Sequence, residues 1–146
     1  MYAPTMLDYQ RQLIIANFDD FSPNAVFPEY CGGQYGSFHD EWGRRVIDFL
    51  CVNVQCNFIE PINFSDLLGN RGVDSLRNLL TNESDCSDVG KDVIWNALYF
   101  SGTERLAVVM RNFGLNGWDA VKKDLNFELS LLLKEEYGRV VNDGFY

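Results

Sequence analysis

Apolar residues in this chain recur at intervals of three and four, and that spacing restricts the fold to packed helices. Trp42, Val46, Phe49 and Leu50 form one such series. Leu106, Val109 and Met110 form a second, and Val121, Leu125, Leu129, Leu132 and Leu133 a third. Only an α-helix brings positions three and four apart onto one side. The 11 Phe, 7 Tyr and 3 Trp supply the bulk such faces need to build a core. The patterning predicts an all-α fold, an irregular bundle of about six helices in a single domain over residues 1–146.

Polar residues mark the ends of these helices. Thr5, with Asp8 three residues on, reads as a capping box opening a helix to about Phe18. Ser37, with Asp40, opens a second helix, and Asn57 closes it. Between them Asp19–Ser37 carries Pro23, Pro28 and Gly32-Gly33 and reads as a long loop with little regular structure. Phe58–Ile62 reads as an extended crossing, because the residue before Pro61 avoids helical angles. A small strand pair involving Val52–Ile62 stays open, though clear alternation does not support it. Short helical pieces are expected over Ser65–Leu68 and Val73–Leu80, then a polar loop over Thr81–Ser87. Ser87 or Asp88 caps a helix running through Val93, Ile94, Ala97, Leu98 and Phe100. Ser101 or Thr103 opens the next, which ends at Gly114, a left-handed cap. Asn116, with Asp119, opens the last long helix.

Charge narrows the function classes. The chain has 21 acids, 12 bases and a net charge of -9. Residues 1–70 hold nine acids and three bases, and residues 71–146 twelve and nine. Nucleic-acid binding needs a basic face, and the adjacent basic pairs Arg44-Arg45 and Lys122-Lys123 do not build one. Acids concentrate at Asp19, Asp20 and Glu29 in the long loop, and at Glu83, Asp85, Asp88 and Asp92 around a helix start. The helix dipole accounts for Asp88; together the acids make surfaces suited to a basic partner. The apolar runs are too short and too interrupted for a membrane span. The start, Met1-Tyr2-Ala3-Pro4-Thr5-Met6, lacks the pattern of a signal peptide. The expected setting is the cytoplasm, with Cys31, Cys51, Cys56 and Cys86 as free thiols.

Catalytic and metal-binding patterns are poorly matched. Cys31 and His39 are the one pair able to form a thiol–imidazole nucleophile, without an orienting group or an oxyanion site in view. Cys51 and Cys56 stand five apart with no second knuckle, unlike a zinc site. Asp19–Tyr30 lacks the register of a calcium loop. Gly32-Gly33-Gln34-Tyr35-Gly36 lacks the lysine of a phosphate loop. No catalytic, cofactor or metal residue is assigned. Trp42 and Trp95 belong to apolar helical patterns, whereas Trp118 suits either the core or an interface anchor.

Two stretches carry a family resemblance. They are Asp92-Val93-Ile94-Trp95-Asn96-Ala97-Leu98-Tyr99-Phe100-Ser101-Gly102-Thr103-Glu104-Arg105-Leu106 and Leu115-Asn116-Gly117-Trp118-Asp119. With the acidic, Phe- and Tyr-rich composition and the size, the chain resembles bacterial immunity proteins of polymorphic toxin systems, of the contact-dependent growth inhibition type. The resemblance implies a cytoplasmic antidote that binds its cognate toxin domain, commonly a nuclease, and blocks an essential surface. Partner contacts are then expected at Asp19, Asp20, Glu29, Glu83, Asp85, Asp88, Asp92 and Trp118. An acidic phage-type inhibitor of a nucleic-acid-binding complex and a small enzyme using Cys31 are the competing readings.

Overall fold

The structure, a computed structural model, describes residues 4–64, 73–81 and 91–142. It is all-α in character. Among the described residues there are six α-helices: α1 (Met6–Phe18), α2 (His39–Gln55), α3 (Val73–Thr81), α4 (Lys91–Ala97), α5 (Glu104–Asn112) and α6 (Phe127–Asn142). A two-stranded antiparallel ribbon joins β1 (Ile59–Pro61) to β2 (Phe100–Gly102), with Glu60 opposite Ser101. The expected helix over Ser65–Leu68 lies outside the described residues.

The apolar face of α2 is the centre of the core. Trp42, Val46, Phe49 and Leu50 are fully buried. Leu13 and Ile14 of α1, Leu76 and Leu80 of α3, Leu106 and Met110 of α5, and Leu129 and Leu133 of α6 join the same cluster. Between α1 and α2 the long loop is more ordered than its Pro and Gly content suggests. It contains 3-10 turns at Pro23–Ala25 and Tyr30–Tyr35, and it buries Val26 and Phe27. Phe27 has a φ of 50°, a costly backbone state for a bulky side chain. Its two backbone groups are held: the N–H donates to Gln12 Oε1 at 3.3 Å, and the carbonyl accepts from Trp42 Nε1 at 3.2 Å. Gly33, with φ 65°, packs so close to the Pro28 carbonyl that an added Cβ would lie 2.8 Å from that oxygen.

Several helix ends follow their sequence signals. The Thr5 hydroxyl accepts from the Asp8 N–H at 3.2 Å, and the Asp8 carboxylate accepts from the Thr5 N–H at 2.8 Å. Thr103 caps α5 through the Leu106 N–H at 3.2 Å. Gly114, with φ 69°, follows α5, and Asn57, with φ 61°, follows α2.

Three expected boundaries need correction. Ser37 does not cap α2; Phe38 precedes the helix without a side-chain cap. Glu41 pairs instead with Arg44 and, at 3.0 Å, with Arg45 in that first turn. The helix expected through Phe100 stops at Ala97, because Phe100 exchanges backbone hydrogen bonds with Phe21 at 3.0 and 2.8 Å and its segment pairs with β1. Gly102 permits that pairing, since a Cβ there would lie 2.7 Å from the Ala16 carbonyl oxygen. The last helix does not run from Asn116. A 3-10 turn at Trp118–Lys122 is followed by a break, and α6 begins at Phe127.

The break before α6 is held by one side chain. Fully buried Gln10 of α1 donates from Nε2 to the Asp124 carbonyl at 3.1 Å, and its Oε1 accepts from the Asn126 N–H at 2.7 Å. Asn126 caps α6 by accepting from the Leu129 N–H at 2.9 Å. Removing this one buried amide leaves two backbone groups, the Asp124 carbonyl and the Asn126 N–H, without their partner. Gln10→Ala is therefore expected to lower stability by about 2 kcal/mol, read as a lower urea midpoint with an unchanged slope.

Candidate functional site

The thiols and the histidine do not assemble a nucleophile among the described residues. Cys31 sits in the strained loop with φ 55°, beside Tyr30, whose hydroxyl pKa is raised by burial and then by the Cys31 thiol. His39 faces the ring of Trp42 at 5.5 Å and has Asp40 as its nearest acid at 3.8 Å; no hydrogen bond joins it to Cys31. Cys51 and Cys56 are buried core thiols. Burial pushes the Cys51 thiol up to about 12 and raises that of Cys56, so both stay protonated in ordinary conditions. Among the described residues, no group of three or more His, Cys, Asp or Glu is placed to hold a metal ion.

The surface feature with physical content is an aromatic stack. Phe18, the last residue of α1, lies against Trp118 with ring centroids 4.8 Å apart and an interplanar angle of 27°. Trp118 is 54% exposed and Phe18 36%. Among the described residues it is the one contacting ring pair in which both members are exposed. Two anchors place Trp118 there: Ala120 is buried, and Arg11 Nε of α1 donates to the Val121 carbonyl at 3.2 Å. Exposed Asp19 and Asp20 follow Phe18 directly, and exposed Asp119 follows Trp118. The fold thus brings Phe18, the residue directly before Asp19 and Asp20, onto Trp118 from a distant part of the chain.

Glu29 stands apart from that stack. It is exposed on the rim of an open cleft of about 300 Å³ beside the middle of α1. Ile15 lines that cleft one helical turn before Phe18, so the cleft and the stack lie along neighbouring stretches of α1. Glu83, Asp85 and Asp88 lie outside the described residues. Asp92 belongs to the first turn of α4 by its backbone, and its side chain is outside the described ones. Sequence reasoning missed Phe18, treated there only as a helix end. The available signal was an aromatic residue directly ahead of two aspartates.

Two outcomes follow from the buried thiols. Iodoacetamide applied to the native chain is expected to label Cys31 and leave Cys51 and Cys56 unlabelled until unfolding, as read by peptide mass spectrometry. At alkaline pH the unfolded chain loses the Cys51 proton from about 9 and the Tyr9 proton from about 10, whereas the folded chain holds both to about 12. The folded state binds more protons in that window, so stability falls as pH rises through it. In Cys51→Ala the fall in urea midpoint between pH 9 and pH 10 should be shallower.

No protein-family model matches the chain, and neither a curated protein nor a solved structure is matched by it.

Proposed function

We propose that this protein is a stoichiometric inhibitor of the immunity type, which docks on a basic toxin domain through the Phe18–Trp118 stack and its aspartate border. The single observation carrying the reading is that exposed stack with Asp19, Asp20 and Asp119 beside it. Large flat rings lose little conformational entropy on binding and dominate interface energies when a partner encloses them. Carboxylates around them add less affinity than rate and orientation, by drawing in a positively charged partner. A nuclease that grips a polyanion carries such a positive face. An acidic protein seated there excludes nucleic acid by charge and by volume. An inhibitor of this kind works in the cytoplasm, where a nuclease reaches its substrate. The chain contacts protein, with no nucleic acid or membrane of its own to bind. Among the described residues, no helix is long and apolar enough to cross a membrane.

The test is to capture the partner from the source cell on the immobilised chain and measure its binding and activity. A basic domain whose activity is abolished at one-to-one stoichiometry is expected. Trp118→Ala should weaken binding by about thirtyfold, the scale of an interface hot spot. The pair Asp19→Lys and Asp20→Lys should slow association and flatten its salt dependence. A partner that binds all these variants as it binds the parent chain would rule out this surface.

A further inference from the structure

The cleft beside α1 contains groups that the rest of the fold does not use. It measures about 300 Å³ and opens between α1, the Phe27–Tyr30 segment and the 3-10 turn that carries Trp118. Ile15, Phe27 and Val121 give it apolar walls. A small cavity with apolar walls and a few placed polar groups has the form of a site for a small organic molecule.

The polar groups are mainly donors. Gln12 is only 3% exposed and lines the cleft. Its Oε1 is spent on the Phe27 N–H, while its Nε2 is buried without a partner among the described residues. A buried amide donor without an acceptor is costly and calls for an explanation. Arg11 spends Nε on the Val121 carbonyl, and neither its terminal nitrogens nor the Lys122 ammonium has an ion pair among the described residues. In a chain with 21 acids and 12 bases, two cations without an ion pair and an amide nitrogen without a hydrogen bond among the described residues, all in one cleft, ask for an acceptor bearing negative charge.

Two carboxylates limit how much charge that acceptor can carry. Asp8 and Glu29 also line the cleft, and Asp8 is held by the Thr5 cap. They repel polyanions such as nucleotides and leave room for a single negative charge facing the Arg11 fork.

We propose that this cleft binds a small monocarboxylate with an apolar body, its carboxylate held by Arg11, Lys122 and the Gln12 amide and its body against Ile15, Phe27 and Val121. This site is independent of the partner surface proposed above.

The test is an NMR titration of the full chain, following amide and Gln side-chain signals. The probes are benzoate, phenylacetate and hexanoate, with benzamide, phenylacetamide, hexanamide and inorganic phosphate as controls. At least one carboxylate should give saturable shifts at Gln12, Val121 and Lys122, with its own amide binding about tenfold more weakly, as expected when a charge-assisted bidentate contact is lost. Lys122→Gln and Arg11→Gln should each weaken that carboxylate about fivefold or more. Lys122 is exposed, so its variant decides the matter if Arg11→Gln disturbs the turn. Absence of saturable shifts with every carboxylate overturns the proposal. So does equal binding of the amides, a response to phosphate alone, or unchanged affinity in Lys122→Gln.

Discussion

Two buried glutamines on α1 carry the irregular parts of this structure. Backbone groups that leave water must be paired, and loops cannot pair their own as helices do. Gln10 uses both ends of its amide to close the turn before α6. Gln12 holds the N–H of Phe27, and Trp42 holds the Phe27 carbonyl from the other side. A leucine in either place would bury well and orphan the backbone groups that the amide holds: the Asp124 carbonyl and Asn126 N–H at Gln10, the Phe27 N–H at Gln12. Helix α1 is therefore a spine to which both loop regions are fastened, and the apolar face of α2 supplies the bulk that encloses them.

That arrangement decides where the surface features fall. The turn at Trp118–Lys122 lies along α1 because Arg11 and Gln10 reach its neighbouring carbonyls. Its first residue then stacks on Phe18 at the helix end, and its last two meet the cleft beside Arg11 and Ile15. One side of α1 thus presents an aromatic pair with aspartates at one end and, nearer its middle, a cleft whose two cations have no ion pair among the described residues. The cleft sets two cations, Arg11 and Lys122, against two carboxylates, Asp8 and Glu29, whereas the exposed charges that follow Phe18 and Trp118 directly are aspartates.

Signals that act within one turn of chain were legible in the residues alone. The Thr5–Asp8 box, the Thr103 cap, the left-handed residues Asn57 and Gly114 and the extended run before Pro61 all satisfy local geometry, and each stands where the spacing indicated. The errors share a different cause. Phe100 fits a helical pattern, but it pairs with Phe21 across most of the chain's length. Asn116 and Asp119 resemble a helix start, but Gln10 imposes a break further on, and Asn126 provides the effective cap. For the candidate site, Asp19, Asp20 and Trp118 were identifiable as residue types, whereas Phe18, Arg11, Gln12 and Lys122 became informative only once their neighbours were known.

The sequence by itself determined the helical class, most helix starts and stops, the acidic charge balance, and the supply of aromatic side chains. These depend on periodicity, on caps and on net charge, which are properties of near neighbours or of the whole composition. Only the tertiary structure decided that Trp118 meets Phe18, that β2 replaces a helix end, and that Arg11, Lys122 and the buried Gln12 amide share a cleft. Those pairings join residues up to about a hundred positions apart, and they form because buried polar groups must find partners wherever packing places them.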